Sequence, residues 1–175
     1  DRGGLAILRS GGDLGQMLVM KNTSQGMGHG HFEKVHWLFS DNGREVVRDY
    51  GAARFLNVES KRGGVYLPEN ESWAKQTVAH NTLVVNGRSH FDGDLDEAEA
   101  KHPTPLLFET ERGLQIVSAG MAGAYPGVVF VRTLALLEHP ELSQPVVVDL
   151  LRASGEQPAQ YDLPLHFSGH LVDVP

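Results

Sequence analysis

Apolar residues in this chain come in short runs broken every few positions by Gly, Asn, Asp or Pro, and few stretches keep the spacing that would give a helix a buried stripe. The pattern predicts an all-β domain, an antiparallel β-sandwich. Candidate strands are Leu5 to Leu8, Gln16 to Met20, Val35 to Phe39, Glu45 to Asp49, Thr82 to Val85, Leu106 to Glu111, Leu114 to Ala119, Val128 to Leu137, Val146 to Leu151 and Leu163 to Phe167. Asp41-Asn42-Gly43-Arg44 separates two of them, and an Asn-Gly pair readily takes the positive φ angles of a tight hairpin, so residues 35 to 49 are expected to form a ribbon. Gly113 is expected to close a second hairpin, between Phe108 and Leu114. Residues 86 to 105 break the pattern: Asp92, Asp94, Asp96, Glu97 and Glu99 with few large apolar groups predict a solvated surface excursion.

At 175 residues, 41% hydrophobic and 21% charged, the chain holds one domain, spanning residues 1–175. A net charge of −7 without a basic block argues against a nucleic-acid partner, although Arg44, Arg48, Arg54, Lys61 and Arg62 make the first part the more plausible neighbourhood for an acidic ligand. The absence of cysteine removes disulfides and thiolate metal sites. No apolar run is long enough to cross a bilayer. The chain opens on Asp1-Arg2-Gly3-Gly4, with neither Met nor a leader, which suggests a piece of a longer polypeptide.

The most unusual segment is Gly26-Met27-Gly28-His29-Gly30-His31, where imidazoles alternate with glycines. On an extended backbone His29 and His31 share a face, and glycine lets the backbone approach a metal or ligand closely; a Gly-rich loop with exposed histidines is the simpler alternative. Stock motifs fail. His31 and His36 are five apart where a helical zinc protease needs four, Glu33 follows too soon for a cupin centre, and neither a phosphate loop nor a nucleophile elbow is present. Asp49, at a strand end, and His80, before a strand, complete a second set with His31: two neutral nitrogens and one carboxylate, suited to four-coordinate zinc with one open position. Each also has a plainer reading, Asp49 as a turn cap and His80 as a hydrogen-bonded histidine. Asn81 either orients a ligand or bonds a turn, and Trp37 falls in an alternating strand and is expected in the core.

The segments GMGHGHFEKVHWLFSDNGREVVRDYGAARF, GGVYLPENESWAKQTVAHNTLVVNGRSHFDGD and YDLPLHFSGHL resemble the heparinase II/III-like polysaccharide lyases, most closely the oligoalginate lyases. The resemblance runs from about Gly26 onward. It implies two-lobed proteins in which an α/α toroid precedes the β-sandwich and the active site lies between them; this chain matches only the sandwich lobe. It places zinc ligands at His31, Asp49 and His80, the metal serving chiefly to organise structure. It also places a catalytic tyrosine at Tyr66, a site histidine at His29 and a substrate-binding arginine at Arg54. The implied reaction is β-elimination at the C5 of a uronate in alginate or oligoalginate. The implied partners are an acidic uronate oligosaccharide or polysaccharide and the toroid lobe of the same parent protein, with a periplasmic or secreted location expected for polymer degradation. Two other readings stand beside it: a heparinase-like glycosaminoglycan lyase, and a non-catalytic zinc- and carbohydrate-binding sandwich module.

Overall fold

The computed structural model describes residues 4–11, 15–25, 30–49, 51 and 68–170. Two four-stranded antiparallel sheets face each other. The first is a meander of β1 (Leu5–Ser10), β2 (Gln16–Lys21), β3 (Trp37–Asp41) and β4 (Arg44–Val47). After the two-residue strand β5 (Val84–Val85), the second is a meander of β6 (Thr104–Glu111), β7 (Leu114–Tyr125), β8 (Val128–Leu137) and β9 (Val146–Gly155). β5 pairs instead with the short β10 (Tyr161–Asp162). Both expected hairpins form: Asn42 and Gly43 sit at φ 50° and 71° between β3 and β4, and Gly113 at φ 85° between β6 and β7.

Register sorts the side chains into rows. Ala6, Met20 and Trp37 align across the first sheet, as do Leu8, Leu18 and Phe39. In the second sheet Met121, Phe130 and Ala153 form one row and Val117, Leu134 and Asp149 another. The apolar members of these rows meet in one cluster with Leu8, Leu18, Phe130 and Leu134 wholly buried, so the layers are those of a β-sandwich. The outward rows of β8 and β9 are also aliphatic: Val129, Val146, Val148 and Leu150 are exposed.

Expected elements differ in several places, beyond the shortening of Thr82 to Val85 to Val84–Val85 and the ending of Glu45 to Asp49 at Val47. Val35 takes φ 53°, a rare conformation for a β-branched residue, so β3 begins at Trp37 rather than Val35. Leu163 to Phe167 makes a single bridge, Phe167 to Val47, where a strand was expected; Pro164 lacks the N–H a ladder needs. Residues 86 to 105 are not simply a solvated excursion. Asp94 caps a short helix α1 (Leu95–Ala100), its carboxylate accepting the Glu97 N–H at 2.9 Å, and Lys34 Nζ donates to the Ala98 and Lys101 carbonyls at 2.8 Å each. The acidic residues that suggested solvent are the cap and first turn of that helix, whose Ala98 is buried along with His90 and Phe91.

His90 shows how tightly this segment is held. Its Nδ1 accepts the Lys34 N–H at 3.2 Å and its Nε2–H faces the Leu83 carbonyl at 3.1 Å, so the ring is neutral with no vacant position for a second proton. Burial pushes its pKa down to about 3. As pH drops below about 6.5 the unfolded chain takes up a proton that the folded chain refuses until about pH 3. Stability is therefore expected to fall across that window, by on the order of a few kcal/mol. The check is the urea midpoint between pH 7 and pH 4, which should fall less in His90→Gln than in the unsubstituted chain.

Candidate metal centre

Three loops at one end of the first sheet converge on a polar cluster. The first, between β2 and β3, turns tightly after His31: the Glu33 N–H bonds the His31 carbonyl at 2.9 Å and the His36 N–H bonds the Glu33 carbonyl at 3.0 Å. The second leaves β4, where the Arg48 N–H is held by the His166 carbonyl at 3.0 Å, and delivers Asp49. The third is a 3-10 turn, Thr77–Ala79, that ends on His80.

Side-chain hydroxyls stitch the first loop to the third, since Thr77 Oγ1 donates to the Phe32 carbonyl and Thr82 Oγ1 to the Lys34 carbonyl, both at 2.6 Å. Asn81 is the hub. Its Nδ2 donates to the carbonyls of Trp37 (3.1 Å) and Arg48 (2.9 Å), its Oδ1 accepts the His166 N–H at 2.5 Å, and its own N–H goes to His36 Nδ1 at 2.9 Å. From the opposite sheet, Arg132 donates to the carbonyls of Val35 and Asn81 while pairing bidentately with Asp149 at 2.8 and 2.5 Å.

These loops bring His31, Glu33, Asp49 and His80 together, with one donor atom from each lying within 4.8 Å of the others. His80 Nδ1 is 3.0 Å from Asp49 Oδ1 and 3.4 Å from Glu33 Oε2. His31 Nδ1 is 4.0 Å from Glu33 Oε1, which is ion-paired with Lys21. His36 Nε2 lies 3.8 Å from Glu33 Oε2 and 4.0 Å from Asp49 Oδ2.

The chemistry of this set suits a divalent cation. His31 Nδ1, Glu33 Oε2 and His80 Nδ1 are buried without an aligned hydrogen-bond partner among the described residues, and unpaired buried polar atoms are costly. All three belong to the cluster. His80 places its Nε2 3.1 Å from the Ala74 carbonyl, so that nitrogen carries the proton and Nδ1 is left as a lone pair aimed inward, the usual arrangement of a metal-bound imidazole. Two neutral imidazoles and two carboxylates balance a +2 ion.

Without a cation the neighbouring carboxylates favour a proton at His80 Nδ1. Burial works against the charged form of His80, but the Asp49 and Glu33 carboxylates outweigh it and raise the pKa. Burial likewise opposes ionisation of Asp49, yet His80 and the Gly51 N–H hold its carboxyl well below the usual range. Burial lowers His31 and pushes His36 down to about 4, keeping both rings neutral. A cation entering here competes with a proton for His80 Nδ1, so binding weakens in acid.

His31, Asp49 and His80, widely separated in the chain, are thus brought together. The plainer reading of Asp49 also holds, because its Oδ1 accepts the Gly51 N–H at 3.1 Å. His29, Arg54 and Tyr66 lie outside the described residues. Glu33 was weighed in the sequence only against zinc-protease and cupin spacings, and it reaches the cluster through the tight turn after His31 rather than through strand alternation. His36 entered the sequence reading only through its five-residue spacing from His31, which fits no helical zinc motif.

The sequence profile of the family described as "Heparinase II/III-like, C-terminal" matches residues 1–174. An alginate lyase of Stenotrophomonas maltophilia is 64% identical over 172 residues, covering 98% of this chain and 23% of that protein. An exo-oligoalginate lyase of Saccharophagus degradans is 55% identical over 174 residues, covering 99% of this chain and 24% of that protein. The chain therefore spans about a quarter of the length of these curated relatives. Among solved structures, a heparinase III superposes with TM-score 0.76 at 15% identity over 99% of this chain and 24% of that one. A heparan sulfate lyase of Pedobacter heparinus gives 0.58 at 19% identity over 78% of this chain and 19% of that one. At such identities these two speak for the fold alone.

Proposed function

The chain belongs to the heparinase II/III-like C-terminal family, and from that membership we propose that it is the sandwich lobe of a polysaccharide lyase that cleaves alginate or oligoalginate by β-elimination. Identities of 64% and 55% to an alginate lyase and an exo-oligoalginate lyase favour alginate over a glycosaminoglycan. The single structural observation carrying the metal part of the reading is the cluster of buried donor atoms at His31, Glu33 and His80, without an aligned hydrogen-bond partner among the described residues, beside Asp49. Zinc is the ion that a small set of imidazole and carboxylate donors suits best. Bound there, it would tie three loops together and act structurally.

The chemistry rests on the chain's own side chains. A uronate carries an acidic C5 proton beside its carboxylate. Removing that proton drives electrons toward C4, the C4–O bond breaks, a C4=C5 double bond forms and the departing oxygen takes up a proton. The obstacle is charge, because abstraction adds negative density to a group already anionic. In this reading Arg54 and His29 neutralise and hydrogen-bond the carboxylate, while Tyr66 exchanges the proton as general base or acid. Its phenol has a reference pKa of about 10 and needs nearby cations to ionise. The second proton-transfer group and the opposite wall of the cleft come from an α/α toroid lobe preceding this one, and a periplasmic or extracellular site of action fits a polymeric substrate.

The test is the rise in absorbance of the unsaturated product when a two-lobed protein containing this chain is given oligoalginate or heparan sulfate. Turnover of oligoalginate at least tenfold faster is expected. Faster action on heparan sulfate would move the assignment to a glycosaminoglycan lyase, and binding of oligoalginate with no product from either would leave a zinc- and carbohydrate-binding module.

A further inference from the structure

We propose that His36 is a positioning residue of the metal centre, a fixed-tautomer donor that orients the Glu33 and Asp49 carboxylates. The inference rests on the metal reading above and concerns a residue outside the ligand set.

The argument starts from the backbone. The Asn81 N–H points at His36 Nδ1 over 2.9 Å, so that nitrogen accepts and carries no proton. The Asn81 amide cannot turn away, because the two side-chain groups of the same residue are committed to Trp37, Arg48 and His166 and its carbonyl is held by Arg132. The proton of a neutral His36 ring therefore sits on Nε2.

Nε2–H has no lone pair to give a cation, which removes His36 from the candidate ligands although it borders the cluster. It is itself buried without a partner among the described residues, where the carboxylate oxygens nearest it are Glu33 Oε2 at 3.8 Å and Asp49 Oδ2 at 4.0 Å. Both distances exceed a hydrogen bond, and a small turn of either carboxylate closes one. The ring stands edge-on to the His80 imidazole, 5.4 Å between centroids, which limits its own freedom to swing. His36 thus offers one directed donor to two carboxylates that must each present a chosen oxygen to the ion. Lys21 acts on the other oxygen of Glu33, leaving Oε2 for the cluster.

Zinc affinity of the full chain, measured by competition with a chromophoric chelator at pH 7, tests this with two substitutions that split the ring's functions. His36→Asn can still accept from Asn81 but cannot reach the carboxylates. His36→Gln can place a donor where Nε2 stood but loses the acceptor. The Asn variant is expected to bind zinc roughly 10–100-fold more weakly and the Gln variant to recover most of that loss. Nitrogen-15 spectra of the zinc-loaded unsubstituted chain should show His36 protonated at Nε2, a readout independent of how well either variant folds. Unchanged affinity in His36→Asn, no recovery in His36→Gln, or an unprotonated Nε2 would each overturn the proposal. The unsubstituted chain and His80→Ala serve as references: if the first binds no zinc, the metal reading fails and takes this role with it. If zinc binds and His80→Ala weakens it while His36→Asn does not, only the role of His36 fails.

Discussion

Replacing Tyr66 by phenylalanine in the two-lobed protein is expected to lower kcat on oligoalginate by roughly two to four orders of magnitude, the range over which a positioned acid or base contributes. The change deletes one oxygen and keeps the ring, so the bulk of the side chain is retained while proton exchange is lost. Because the residue is no metal ligand in this scheme, zinc content should be unaltered, and the substrate KM should move far less than kcat. The measurement is product absorbance under saturating oligoalginate together with metal analysis of the same sample. A rate within twofold of the unsubstituted enzyme would remove Tyr66 from the chemistry, and a parallel loss of zinc would make its role structural.

The second large effect is on stability. Asp149→Ala is expected to destabilise the chain by about 3 kcal/mol or more, because it leaves the Arg132 guanidinium, 1% exposed, without its anion. Two carbonyls still accept from Arg132, but neutral dipoles do not replace a carboxylate that takes two parallel hydrogen bonds. Asp149 keeps 22% exposure, which sets the expectation at the lower end of the usual cost of breaking a buried pair. Replacing both partners with apolar residues of similar size should restore much of the loss, since no charge is then stranded. Urea unfolding of the two variants decides the matter, and a cost below about 1 kcal/mol for Asp149→Ala would show that water reaches the guanidinium.

Arg132 also shows why part of this molecule was readable in its sequence and part was not. Alternation located the long strands and the two glycine turns, since period-two burial and positive φ are local properties. The cluster of His31, Asp49 and His80 was legible through residue type and family resemblance. Glu33 and His36 were not, because their burial is created by the turn at Val35, and that turn is held by an arginine about a hundred residues away. Asn81 is similar: a residue usually found capping turns here satisfies three separate segments at once, and nothing in its neighbours announces them. The acidic run before β6 misled for the opposite reason, as a helix cap and first turn have the composition of a solvated loop.

The reach of Arg132 ties the spacing between the two sheets to the placement of Val35 and Asn81. Those residues adjoin His36 and His80, so the interior and the candidate metal centre share one ruler. Trimming a core side chain such as Phe130, which packs in the same inner file of β8, would let the layers settle closer and shift the spacing of the candidate metal centre without touching any of its four residues. Thermal breathing of the sandwich would likewise be felt as breathing of the pocket.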